Sequence, residues 1–144
     1  MMRVTDITIK TIIDYENQDR EQINECHRGN FYIRDNTQYL EYQETEADTK
    51  QPIMTTVSWL NQEPLEITVI RTGAVNAKNV FRQELIDFCR YQTQVGALAI
   101  ETETESVEVS TNQCGGKLRA AYNLKINGEQ VGSYQLTINY KFSE

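Results

Sequence analysis

The chain is poor in residues that interrupt or staple a fold: 144 residues contain two prolines, three cysteines, one histidine and one tryptophan. Cys26, Cys89 and Cys114 are widely spaced and odd in number. They cannot make a fully paired disulfide framework, and a reducing cytoplasm is the expected setting. No apolar run approaches the ~18 residues of a membrane helix, and mean hydropathy is −0.59. Residues 1–10 alternate polar and apolar instead of building an apolar leader, so no signal peptide is expected. Basic charge is also short, 14 Lys and Arg against 21 Asp and Glu for a net −7. Binding to phosphates needs clustered Lys and Arg, so nucleic acid and membrane surfaces are not expected partners.

What is present favours β-structure. Thr, Tyr, Val and Ile are abundant while Leu and Ala are few, the preference of a pleated, half-buried surface. Polar interruptions around residues 16–22, 46–51 and 111–116 are loop-sized, so one domain over 1–144 is expected. Candidate strands run over Val4–Ile13, with Ile7, Ile9 and Thr11 on one face and a change of face at Ile12. Others are Ile23–Arg28, Phe31–Arg34 beyond a bend at Gly29, and Gln38–Glu44 after an Asp35-Asn36 turn. Ile53–Leu60, Leu65–Thr72, Val95–Thr104, Ser106–Ser110, Lys117–Ile126 and Val131–Phe142 complete the set. Many short strands at turn spacings of about 8–12 residues indicate an antiparallel barrel or sandwich.

Asn127-Gly128 is a strong hairpin signal, because both turn positions want positive φ. A two-residue turn pairs Ile126 with Glu129, and the apolar phases of the two strands then disagree beyond Val131. A bulge at Gly132, or a loop one residue longer, restores them, and the bulge is favoured. Residues 79–90 are ambiguous. Phe81, Leu85 and Phe88 behind Asn79 have helical spacing, whereas Ile86, Phe88 and Arg90 alternate as in a strand.

Several short motifs point further. Arg71-Thr72-Gly73, Phe81, Tyr91-Gln92-Thr93 followed by Gly96, and Thr102 come in that order. Upstream lie Gly29 and the Tyr39-Leu40, Tyr42, Glu44 run; downstream lie Tyr122 and Leu124. Together they resemble the YwiB-like bacterial family, a domain of unknown function folded as a calycin-type, lipocalin-like β-barrel. The resemblance implies an all-β fold: a single antiparallel β-barrel of about eight to ten strands, with two strands rather than a helix over residues 79–90. Two positions depart from the family pattern: Glu84-Leu85 stand where a Gly-Lys turn is usual, and Val95 where an aromatic is usual. The resemblance implies no activity. Its fold relatives bind small molecules inside the barrel, an analogy of fold alone.

Candidate chemistry is sparse. Arg71 shares a face with Ile67 and Val69, so an inward Val69 brings Arg71 inward. A buried guanidinium needs a carboxylate or a bound anion; the choices are a ligand anchor in a cavity or a structural pair with Glu44 or Glu101. An inward Arg71 also implies a molecule acidic outside with a basic spot inside. Tyr42, Tyr91 and Tyr122 are candidate hydroxyl donors beside it, with Thr93 adjacent in the same motif. Trp59 either closes one barrel end by packing or stacks on a ligand. Glu101, Glu103 and Glu105 share one strand face and are expected to be solvated, with Leu98, Ile100 and Thr102 turned in. Cys26 and His27 point to opposite strand faces and cannot form a nucleophile pair. The cysteines lack zinc-site spacing, and Gly115-Gly116 follows no phosphate-loop pattern. No catalytic residue, metal site or cofactor is expected. The expected function is non-enzymatic binding of a small anionic or amphipathic molecule in the barrel, by Arg71, Tyr91, Thr93, Tyr122, Tyr42 and Trp59. The alternative is a protein-interaction or scaffold domain. Oligomeric state is not legible.

Overall fold

Ten strands follow one another round a barrel in the computed structural model, which describes residues 2–46 and 49–143. They are β1 (Arg3–Tyr15), β2 (Arg20–Arg34), β3 (Thr37–Thr45), β4 (Pro52–Leu60), β5 (Glu66–Gly73), β6 (Val75–Arg82), β7 (Ile86–Thr93), β8 (Gly96–Asn112), β9 (Gly115–Ile126) and β10 (Glu129–Phe142). Each pairs antiparallel with the next, and β10 returns to β1, closing an all-β barrel of the kind the calycin resemblance implies. Among the described residues there is no helix, and so none long and apolar enough to cross a membrane. Positions 47 and 48 of the 46–51 loop lie outside the described residues.

Period-two alternation builds the core. Cross-strand pairing strings inward side chains into rings around the wall: Phe31, Leu40, Val57, Val69 and Asn79 are successive partners from β2 to β6. Below them run Trp59, Ile67 and Phe81; above them Tyr42, Thr55, Arg71 and Ala77. Burying an aliphatic side chain contributes roughly 1.5–3 kcal/mol, and Leu40, Val57 and Ile67 are at most 1% exposed.

Several sequence expectations change in detail. No change of face occurs at Ile12: β1 stays in register with β10 from Thr5↔Phe142 to Tyr15↔Gly132, and Ile13 is buried with Ile7 and Ile9. β2 is one strand through Gly29, held by its ladder to β1 from Arg3↔Phe31 to Asp14↔Arg20. Gly29 marks a close approach rather than a bend, since a Cβ there would collide with the Glu41 carbonyl. β8 likewise runs unbroken over Gly96–Asn112, with a register shift between Thr104 and Ser106 where two strands were expected. The β9–β10 hairpin has its two-residue turn, with Asn127 at φ 50° and Gly128 at φ 84°. Its bulge falls at Val131, one residue before Gly132.

Residues 79–90 form the end of β6 and the start of β7, as the resemblance implies. The helical spacing has no structural meaning there: Phe81 is 4% exposed inside the barrel and Phe88 is 75% exposed outside it. Glu84, where the resemblance implies a glycine, sits at φ 68°. A left-handed residue with a Cβ costs roughly 1–2 kcal/mol, and glycine's extra chain entropy takes back part of that. Glu84→Gly should therefore raise the unfolding free energy by about 0.5–1 kcal/mol. A urea midpoint that stays put or falls would contradict the strain.

Candidate functional site

Up-and-down winding gives the barrel two unlike ends. At one, Phe31 stacks on Tyr140 with centroids 5.6 Å apart, and Trp59 lies 5.6 Å from Tyr140 and 6.3 Å from Phe31. Phe142 joins them, and the Arg3 guanidinium lies over its ring at 3.9 Å. That end is packed shut. The other end is hollow, a half-enclosed cavity of about 220 Å³.

The cavity has apolar and polar walls: Val57, Val69, Phe81, Leu124, Leu136 and Ile138 share its lining with Glu25, Tyr42, Glu44, Arg71, Tyr91, Thr102 and Tyr122. On β4 and β5 the lining turns polar toward the open mouth, because Val57 and Val69 lie one ring below Thr55 and Arg71. Arg71 Nε is 3.9 Å from Glu44 Oε2, and their side chains are 28% and 22% exposed. The Thr55 hydroxyl donates to Glu44 Oε2 at 2.6 Å, fixing the carboxylate against the wall. His27 Nε2 lies 3.0 Å from Glu25 Oε1, and its ring stacks on Tyr42 at 4.5 Å. Burial pushes the Tyr42 hydroxyl well above its usual range; the nearby Glu44 charge adds to this and Arg71 opposes it. Burial does the same to Tyr122. Both phenols are therefore neutral hydrogen-bonding groups at ordinary pH.

Of the six residues singled out in the sequence, Arg71, Tyr42, Tyr91 and Tyr122 meet in this cavity. Thr93 does not. Its hydroxyl donates to the Gly96 carbonyl at 2.8 Å and accepts from the Val95 amide, tying the β7–β8 turn. Trp59 also lies outside, 2% exposed in the sealed end. The partner of Arg71 is Glu44, whereas Glu101 faces Lys125 at 3.8 Å. Of the residues expected to turn in from β8, Thr102 is buried and Ile100 lines the cavity, but Leu98 is 38% exposed near the rim. Glu103 and Glu105 are exposed.

The basic interior spot is not what the geometry gives. Glu25 and Glu44 both accompany Arg71 at the mouth, so two carboxylates against one guanidinium leave a formal charge of −1 over these three groups. The sequence reading weighed His27 only beside the cysteines and gave Glu25 no role, because it ended the strand before Gly29. Carried through, the alternation of Phe31 passes inward to Gly29, His27 and Glu25, which pair with Thr5, Ile7 and Ile9 of β1. The ligating atoms of Glu25, His27 and Glu44 lie within 4.8 Å of one another. Cys26 faces out beside them; Cys89 is buried, Cys114 exposed, and all three are free thiols.

One further feature belongs to the cavity. Thr102, 1% exposed on its wall, has no hydrogen-bond partner for its hydroxyl among the described residues. An unpaired buried hydroxyl costs roughly 1–3 kcal/mol.

The sequence pattern of a family described as a domain of unknown function (DUF1934) matches residues 7–138. A Bacillus subtilis (strain 168) protein, described as the uncharacterized beta-barrel protein YwiB, is 27% identical over 143 residues, covering 98% of this chain and 96% of the relative. The crystal structure of the ywiB protein from Bacillus subtilis superposes with a TM-score of 0.84 at 24% identity, covering 99% of this chain and 94% of that one.

Proposed function

The chain belongs to the family described as a domain of unknown function (DUF1934), and within that family we propose that it is a non-enzymatic binder of a small amphipathic molecule held in the barrel. One observation carries this reading: the interior is packed at the Trp59 end and hollow at the Arg71 end. A barrel built only for stability gains nothing from a polar hollow, whereas small-molecule sites are concave, largely apolar and set with a few convergent polar groups. At about 220 Å³ the cavity lies below the ~300–1,000 Å³ of drug-sized sites, so the ligand is small. Its apolar body lies over Phe81 and Leu124. Its head meets Arg71 on one side and Glu25 and Glu44 on the other, which favours a zwitterion over a plain anion.

Polar outward positions, Thr8 and Lys10 on β1 and Lys117 and Arg119 on β9, alternate with buried Ile7, Ile9, Leu118 and Ala120. A lipid-facing band requires the reverse. Free thiols at three positions suit the reducing cytoplasm, where we place the protein.

Three probes with a common phenyl body test the head group: phenylacetate, phenethylamine and phenylalanine. Isothermal titration should show phenylalanine binding at least about tenfold more tightly than the other two, a difference of ~1.4 kcal/mol. Arg71→Met should weaken that binding about tenfold, while Thr102→Val should leave the unliganded fold as stable or more so, because it removes an unpaired hydroxyl. No binding by any probe, or equal binding by the methionine variant, would sink the reading. A second reading, the interaction domain, has its own observation: Phe88 and Val95 are 75% and 94% exposed, with Ile86 and Leu98 also exposed on the β7–β8 hairpin. Exposed apolar groups gathered on one hairpin suit a partner surface.

A further inference from the structure

We propose that Glu25, His27 and Glu44 bind one divalent first-row transition-metal ion of the zinc class at the barrel mouth. The three residues come from two strands that part company at this point. The β2–β3 ladder runs from Arg34↔Thr37 only to Asn30↔Glu41. Beyond it, β2 continues along β1 and β3 continues along β4. The notch between them is lined by the inward side chains of Glu25 and His27 on one side and Glu44 on the other. Such a site leaves no compact sequence motif, because the ligands come from opposite sides of a gap.

The donor set fits the ion. One imidazole nitrogen and two carboxylates match the ligand types zinc takes, at roughly 2.0–2.2 Å each, with donors then about 3.3 Å apart in a tetrahedron. His27 Nε2 and Glu25 Oε1 already lie 3.0 Å apart, and all three donors lie within 4.8 Å. The His27 and Glu25 side chains are 17% and 35% exposed, and Glu44 is 22% exposed, so the donors are shielded from bulk water yet reachable. Stacking on Tyr42 orients the imidazole and the Thr55 hydroxyl orients Glu44, the kind of outer support that metal ligands require.

Arg71 stands 3.9 Å from Glu44, outside the donor set and repelled by a cation. With a divalent ion in place, the formal charge of Glu25, Glu44 and Arg71 moves from −1 to +1. The fourth coordination position opens into the cavity, where the anionic end of a ligand completes it. Metal binding shares Glu25 and Glu44 with the ligand reading, but the two are tested separately: zinc can fail to bind while metal-free protein still takes phenylalanine, and the reverse.

The test is a zinc chloride titration of the full chain stripped with EDTA, with Cys26→Ser and Cys114→Ser in place to remove the exposed thiols. Calorimetry should return one ion per chain. His27→Ala should weaken it at least about a hundredfold and Glu25→Gln at least about tenfold, the usual scale of losing a ligand or its support. Arg71→Met should retain or tighten it. His27→Gln serves as the conservative variant, and thermal unfolding of each metal-free protein checks that it is folded. Loss of the one-to-one stoichiometry on removing the cysteines, or a folded His27 variant that titrates like the parent, would overturn the proposal.

Discussion

Trp59→Ala is expected to lower the unfolding free energy by about 3–5 kcal/mol, the range for truncating a buried aromatic. For a chain of this length, total stability is of order 7–20 kcal/mol, so a single side chain carries a large share. The cause is position: Trp59 is 2% exposed and closes the sealed end against Phe31 and Tyr140. Trp59→Phe should cost far less. It keeps a ring in the cluster and also removes the indole N–H, which is buried without a partner among the described residues; that unpaired donor costs roughly 1–3 kcal/mol as it stands. Urea unfolding of the two variants decides the matter. An alanine variant that loses little stability but fails to bind phenylalanine would restore the ligand-stacking role that the sequence leaves open.

Gly29→Ala should be nearly as costly, about 3 kcal/mol or more from overpacking and the ladder bonds it displaces. The added methyl group meets the Glu41 main-chain carbonyl and approaches the Ile7 side chain, and a backbone atom cannot swing aside as a side chain does. The clash sits at the end of the β2–β3 ladder, so the variant should also spread the notch that holds Glu25, His27 and Glu44. A thermal midpoint lowered by roughly 10 °C is the expected scale. An alanine variant with an unchanged midpoint would mean that β2 and β3 do not approach there.

The sequence makes much of the barrel legible because alternation is a local property. β10 is readable from Tyr134, Leu136, Ile138 and Tyr140, and its bulge follows from the phase conflict with Leu124. What alternation cannot report is where a ladder stops. The β2–β3 notch depends on how far two strands stay paired, and nothing in Glu25 or Glu44 announces it. Gly29 is a clear signal with two meanings, chain bend or close approach, and only the neighbouring strand chooses between them. Trp59 and Arg71 show the same limit. Both face inward by phase, yet one meets an aromatic cluster and the other a cavity, because they lie at opposite ends of the barrel. Thr93 falls in a distinctive motif, but the β7–β8 turn uses its hydroxyl.

Amide NMR spectra of the full chain, titrated with phenylalanine, test the central claim most directly, since they report where a ligand sits as well as whether it binds. The prediction is saturable shifts that cluster at Glu25, Tyr42, Arg71, Tyr91 and Thr102 around the hollow end and leave Trp59 and Phe31 unmoved. Shifts confined to residues 86–88 and 95–98 of the β7–β8 hairpin, or no saturable shift anywhere, would contradict a barrel that binds its ligand inside.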